Sequence, residues 1–345
     1  MLDTPYGKMD KLIVHYVGNK NNGDGVQLSA AETGFEKIEE YFTALMNSSF
    51  NLEELYSFHF QPRVELNPVY QFIKEIFADK ETFAEQSQNC ARLLYDKSNH
   101  PKIKGGELQV VYLRNCLIND KTVDAVAFFK SENKETFLKV IASKQGLGLE
   151  TEQGIGIKKL DKGCIVFNTN EKEGYRVAVV DNTNRNEEAQ YWKDEFLAVE
   201  PVANEFHQTN EFLGIAKNFV TKQLDEDFEV SKADKIDYLN RSVEYFKTHE
   251  SFDKEDFERK VFQEPGVINS FRKFDSGFRQ ENDIDLPDNF DISAKAVKKQ
   301  ARVFKSVLKL DKNFHIYIHG NRELIEQGVE PDGRKFYKIY FNEEN

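Results

Sequence analysis

The stretch SAKAVKKQARVFKSVLKL, residues 293–310, carries six basic side chains and no acidic one. Ammonium and guanidinium groups crowded this closely suit the neutralisation of phosphates. At 100° per residue Lys295, Lys298, Lys299 and Arg302 stand at i, i+3, i+4 and i+7, so a helix here presents all four on one face. Val297, Ala301 and Phe304 fall on the opposite face, and Ser293 is placed to cap the N-terminus. Near Phe304 the pattern turns to a strand. VLKLDKNFHIYI reads as a hairpin about Asp311, Lys312 and Asn313, and Lys305 and Lys309 extend the basic strip from strand positions. Five or six phosphate contacts of this kind give a salt slope of roughly −5. The same residues also fit an ordinary solvated helix face, or a surface that pairs with the protein's own acidic helices, and residue chemistry leaves these readings open.

A second basic cluster, Lys158, Lys159 and Lys162, lies in GIGIKKLDKGCIVFN beside Gly154, Gly156 and Gly163. It reads as a β-turn with exposed lysines that join the basic surface. Neither Gly146/Gly148 nor Gly154/Gly156 has the third glycine of a dinucleotide fingerprint, and there is no Walker spacing, so no nucleotide cofactor is expected. His315 and His319 have a His-x-x-x-His spacing, which on a helix can hold zinc. FHIYIH alternates like a strand, however, where they stand roughly 13 Å apart, and no metal site is expected. Asp124, Glu132 and Lys134 resemble the residue set of a metal-dependent nuclease, although the charges of SENKE fit a hairpin turn better. With no Gly-x-Ser-x-Gly elbow or local Cys/His signature, no catalytic residues are assigned. Cys90, Cys116 and Cys164 are far apart and lack a Cys-x-x-Cys pair, so they read as buried free thiols.

The elements that would position these groups change character along the chain. KLIVHYV reads as a strand. LSAAETGFEKIEEYFTALM reads as a helix opened by a Ser29/Glu32 capping box, with Phe35, Ile38, Tyr41, Phe42, Leu45 and Met46 on one stripe. NPVYQFIKEIF starts with Asn67 as cap and Pro68 at the first helical position, and TFAEQSQNCARLLY repeats the capping box with Thr82 and Glu85. From about residue 105, ELQVVYL, TVDAVAFF, TFLKVIA, GCIVFN and YRVAVVD are strands. Their connections IND, SENKE and NEKEG are too short for crossover helices, so the sheet is an antiparallel meander. EEAQYWKDEFLAV closes this part with a helix. Residues 205–265 read as acidic helices, with starts at Ser231/Asp234 and Asp253/Asp256, and FRQENDIDLPDNFDI reads as a linker.

At 345 residues the chain exceeds one usual core. The fold class is therefore α+β in two domains: 1–200, helices on a mainly antiparallel sheet, and 201–345, a helical domain ending in the basic helix and short strands. The first thirty residues hold no signal-peptide apolar core, and no run approaches the roughly 18 apolar residues of a membrane span, so a cytoplasmic protein is expected. Net charge is −12, yet residues 291–345 hold 11 Lys+Arg against 8 Asp+Glu, while the first 290 hold 36 against 51. Positive charge is segregated towards the C-terminus.

Taken together, LIVHYVGNK, SNHPKIKGGELQVVYL, GIGIKKLDKGCIVFN, EEAQYWKDEFL, FDISAKAVKKQARVFKSVLKLDKNFHIYIHG and KFYKIYFNEE resemble the bacterial nucleoid-associated protein family, in particular its longer acidic members. The resemblance covers most of the chain in order. It implies association with the nucleoid, and contact with DNA either direct or through a protein partner, without a known reaction or cofactor. The expected function is thus non-enzymatic contact with DNA phosphates at low sequence specificity. The alternatives are an interaction protein that docks an acidic partner or forms a homodimer and, behind both, a metal-dependent nuclease.

Overall fold

A computed structural model gives the fold. It describes residues 4–143, 146–183, 191–282, 284–302, 304, 307–318 and 322–343. The architecture is α+β, and the chain separates into two compact units, Met1–Val202 and Ala203–Asn345.

The first unit contains, in chain order, β1 (Lys8–Val17), β2 (Val26–Gln27), α1 (Glu39–Ser49), β3 (Leu55–Phe58), α2 (Pro68–Ala78), α3 (Phe83–Lys97), β4 (Gly106–Ile118) and β5 (Lys121–Ser131). It continues with β6 (Lys134–Ser143), β7 (Gly146–Ile155), β8 (Lys162–Phe167), β9 (Arg176–Asp181) and β10 (Val199–Pro201). Eight of these strands form one sheet in the order β10-β3-β9-β8-β5-β4-β1-β2, every neighbouring pair antiparallel. Strand periodicity supplies its two apolar faces. Val126 and Phe128 of β5, Val110 and Tyr112 of β4 and Cys164 and Val166 of β8 pack with Ile73, Cys90 and Leu94 of α2 and α3. The alternate residues, Ala127, Phe129, Val111, Leu113, Ile165 and Phe167, pack with Leu45 and Met46 of α1. With helices on both sides the central strands are apolar at nearly every position. The thiols of Cys90, Cys116 and Cys164 are buried and unpaired.

Local signals succeed where tertiary contacts leave their side chains alone. Asn67 caps α2 by accepting from the Tyr70 N–H, with Pro68 at the first helical position. Its amide nitrogen donates to the Leu197 carbonyl at 2.8 Å, which ties the helix start to the turn after Leu197. The expected Ser29/Glu32 capping box does not form. Ser29 donates its hydroxyl to the Val14 carbonyl, Glu32 pairs with Lys11, and the helix starts only at Glu39. The Thr82/Glu85 box fails too, because Thr82 donates to the Asp79 carbonyl. Beyond residue 190 the expected closing helix is a single π-helical turn, Lys193–Leu197, while Trp192 and Phe196 enter the core.

The expected meander also needs correction at TFLKVIA. That segment lies in β6, which pairs only with β7, while β5 pairs directly with β8. The two carboxylate oxygens of Asp161 receive Glu132 N–H, Asn133 N–H and the Asn133 amide, and so pin the point where the chain leaves the sheet. Beneath it lies a buried ionic network. Lys130 Nζ donates to the Lys104 carbonyl, Glu132 and the Tyr191 hydroxyl, and Lys162 Nζ donates to both oxygens of Asp181 at 2.7 Å. Desolvation pushes the Lys130 pKa down against the raising influence of Glu132, and burial pushes the Tyr191 hydroxyl far up.

The second unit is built from α4 (Glu205–Asn218), α5 (Leu224–Asp227), α6 (Lys232–Thr248), β11 (Ser251–Asp253), α7 (Lys254–Val261), α8 (Pro265–Glu281), β12 (Asn289–Asp291) and α9 (Ala294–Ala301). Two hairpins follow, β13 (Val307–Leu310) with β14 (Phe314–Tyr317) and β15 (Ile325–Val329) with β16 (Lys335–Ile339). Ser231 and Asp234 complete a capping box on α6, and Asp253 caps α7. Phe212, Phe246, Phe252, Phe257 and Phe271 meet in one core, which accounts for much of the phenyl content of the sequence. The stretch expected as a linker belongs to this core, because Leu286 and Phe290 are buried in it and β12 pairs with β11. Among the described residues no helix is long and apolar enough to cross a membrane.

Two outcomes follow from these contacts. Asn67→Ala removes a cap and leaves the Leu197 carbonyl without its donor, so urea denaturation should register a loss of about 2–3 kcal/mol, and Asn67→Ser, which keeps the cap alone, a smaller one. His15 is buried, accepts from the Ser29 N–H at Nδ1 and meets Ser87 at Nε2. Burial, with Arg92 nearby, pushes its pKa down from 6.5 to about 4. The unfolded chain therefore takes up a proton first, and stability contributed by neutral His15 is lost as pH falls from 6.5 towards 4. Melting temperatures across that window should fall more steeply for the native chain than for His15→Gln.

Candidate nucleic-acid interface

Within the basic window the described residues form a helix, Ala294–Ala301, and then β13, as the spacing predicts. Ser293 caps α9 by accepting from the Ala296 N–H, and its own N–H donates to Thr209 of α4. Ala296 and Val297 are buried and Phe304 closes the same core, while Gln300 donates to the Asn210 side chain at 2.7 Å. These contacts fix the rotation of the helix. Lys295, Lys298, Lys299 and Arg302 are left exposed, with Lys299 also lying over the Phe206 ring at 5.5 Å. From Lys295 to Arg302 a helix advances about 10 Å, the axial length over which one DNA strand presents about three phosphates. Lys298 and Lys299 occupy the last turn, where a cation also meets the negative end of the helix dipole.

The strand part of the strip is set by register. Lys309 of β13 is exposed and pairs with His315 of β14, and Val307 pairs with Tyr317, so these four side chains share one face of the hairpin. Leu308 and Ile316 take the other face and pack with Ile236 of α6. Tyr317 and His315 thus accompany Lys309 on a face that a count of basic residues does not reveal. The period-2 alternation of FHIYI was the available signal. An exposed aromatic beside cations is a platform on which a base can stack. Lys305 lies outside the described residues.

Elsewhere in this unit cations are spent on carboxylates: Arg241 on Asp237, Lys254 and Arg279 on Asp275, and Arg272 on Glu258. Among the described residues no carboxylate lies within ion-pair distance of Lys298, Arg302 or Lys309.

The second basic cluster divides. Lys158 and Lys159 are exposed in the bend between β7 and β8. Lys162, expected beside them on the surface, is instead 0% exposed. Its ammonium is held by Asp181 and lies 5.2 Å from the Tyr191 ring centre, so it cannot reach a phosphate. Lys162 is the first residue of β8, a strand buried on both faces, and stands opposite Asp181 of β9 in the register. Lys158 and Lys159 belong to the first unit, and α9 and β13 to the second.

The other candidate sets do not assemble. Asp124 and Glu132 stand at opposite ends of β5: Asp124 accepts from Tyr112 and Lys80, Glu132 from Lys130 and Tyr191. Lys134 pairs with Glu107. Among the described residues no group of three or more His, Cys, Asp or Glu side chains could hold a metal ion. His315 lies on a strand as expected, and His319 is outside the described residues.

No curated protein matches the chain. A family model described as nucleoid-associated protein YejK matches residues 13–334, nearly the whole length, and the chain belongs to that family.

Proposed function

We propose that the protein is a non-enzymatic component of the bacterial nucleoid that contacts DNA phosphates through the exposed face of α9. Lys295, Lys298, Lys299 and Arg302 make the central contacts. Lys309, and Lys305 as an expectation from the sequence, extend them, and Lys158 and Lys159 supply a further basic point on the other unit. The observation that carries this reading is the exposure of four cations from a sequence window, residues 293–310, that holds no Asp or Glu in a chain of net charge −12, within a family named for the nucleoid. Phosphate contacts orient a protein on DNA but do not read bases, so sequence specificity is low. The acidic remainder of the chain repels the duplex, which confines the approach to this face, and the counterions released from the contacted phosphates make binding salt-dependent. The proposed role requires no catalytic step or cofactor.

Gel shifts on a random-sequence duplex at two salt concentrations test the reading. Four phosphate contacts give a slope of about −3.6, so native binding should weaken roughly a hundredfold between 50 and 200 mM salt. Lys295→Glu, Lys298→Glu, Lys299→Glu and Arg302→Glu combined should abolish most binding while the circular dichroism spectrum stays native, because all four side chains are exposed. Lys162→Met should do the reverse, lowering the melting temperature without changing DNA affinity. Equal binding by the native chain and the fourfold variant discards the site.

A further inference from the structure

The hairpin of β6 and β7 is the part of the first unit that its own core leaves unfinished. Neither strand pairs with the eight-stranded sheet. Register assigns its side chains to two unlike faces. On one, Glu135 stands opposite Gly154, Phe137 opposite Glu152, Lys139 opposite Glu150 and Ile141 opposite Gly148. This face is the more polar one and partly covers itself, with Phe137 48% exposed. The Phe137 ring lies where a Cβ on Gly154 would be, 2.9 Å away, Ile141 covers Gly148, and Lys139 bridges to Glu152 at 3.2 Å.

The other face pairs Lys134 with Ile155, Thr136 with Gln153, Leu138 with Thr151, Val140 with Leu149 and Ala142 with Leu147. Beyond Lys134 at its base it holds no charge. Leu147 is 82% exposed, Leu138 66%, Leu149 65% and Val140 62%. A lone hairpin is marginally stable in water, and an antiparallel sheet with one polar and one aliphatic face is built to lie on a core. The described residues of the chain do not provide that core.

We propose that a second copy of this chain provides it. The two arms pack aliphatic face against aliphatic face about a two-fold axis, as a four-stranded, two-layer sandwich with layers about 10 Å apart. Area and charge both favour this occupant. The face exposes on the order of 700 Å² per copy, so pairing buries roughly 1,400 Å², within the range of specific interfaces. Two chains at −12 repel one another, but residues 134–155 hold three lysines (134, 139, 144) and three glutamates (135, 150, 152). This electrically neutral segment lets like copies meet without bringing like charges together. The proposal goes beyond phosphate contact and does not depend on it.

Sedimentation velocity or light scattering on the full-length protein, without DNA and across micromolar concentrations, reads the association directly. The native chain should show twice the 40.1 kDa chain mass. Leu138→Lys with Leu149→Lys should show the single-chain mass with an unchanged circular dichroism spectrum. A native chain of single mass overturns the proposal, as does a dimer that persists in the double lysine variant.

Discussion

A sheet buried on both faces is the constraint from which the first unit follows. Once α2 and α3 cover one side and α1 the other, strands such as β5 and β8 have no solvent face to spend on charge. Any ionisable group on them must be neutralised where it stands. Lys130 and Lys162 show how this is met: each sits at the end of a central strand, fully buried, with a carboxylate and the Tyr191 ring within reach. The same end of the sheet is where the chain departs for the β6–β7 hairpin. The ionic network and the Asp161 clamp thus mark the boundary between paired sheet and free arm.

Cations in this protein occupy different surroundings. Some neutralise carboxylates, as Lys130 and Lys162 do inside the first unit and Lys254 and Arg279 do around Asp275 in the second. Those on α9 are exposed because Val297 and Phe304 lock the helix rotation and Gln300 latches it to α4. Helix packing thereby converts a sequence bias into a surface. The carboxylates that dominate the rest of the chain confine attraction for a polyanion to that surface.

The arm and the basic helix raise the same physical question in different currencies. One exposes apolar area and the other a row of cations, and each is stable in isolation only as far as water tolerates it. In the proposed working state both are covered, one by a second copy and the other by phosphates.

Periodicity and capping residues alone settled a good deal. The 3.6-residue stripe of α9, its Ser293 cap, the starts of α2, α6 and α7, and the antiparallel connections IND and NEKEG were all legible, because each depends on residues within a few positions of one another. The family was legible as well, from blocks spread over most of the chain. What could not be read locally was decided by distant partners. Ser29 and Glu32 look like a capping box but are consumed by Val14 and Lys11 of β1. TFLKVIA alternates like any core strand, and only the direct pairing of β5 with β8 excludes it from the sheet. Lys162 differs from Lys158 and Lys159 not in chemistry but in belonging to β8, a strand buried on both faces, where it stands opposite Asp181. Side-chain type and spacing specify which groups can interact, whereas burial and partner choice are properties of the assembled core, since hydrogen bonds and ion pairs go to whichever group the packing brings nearest.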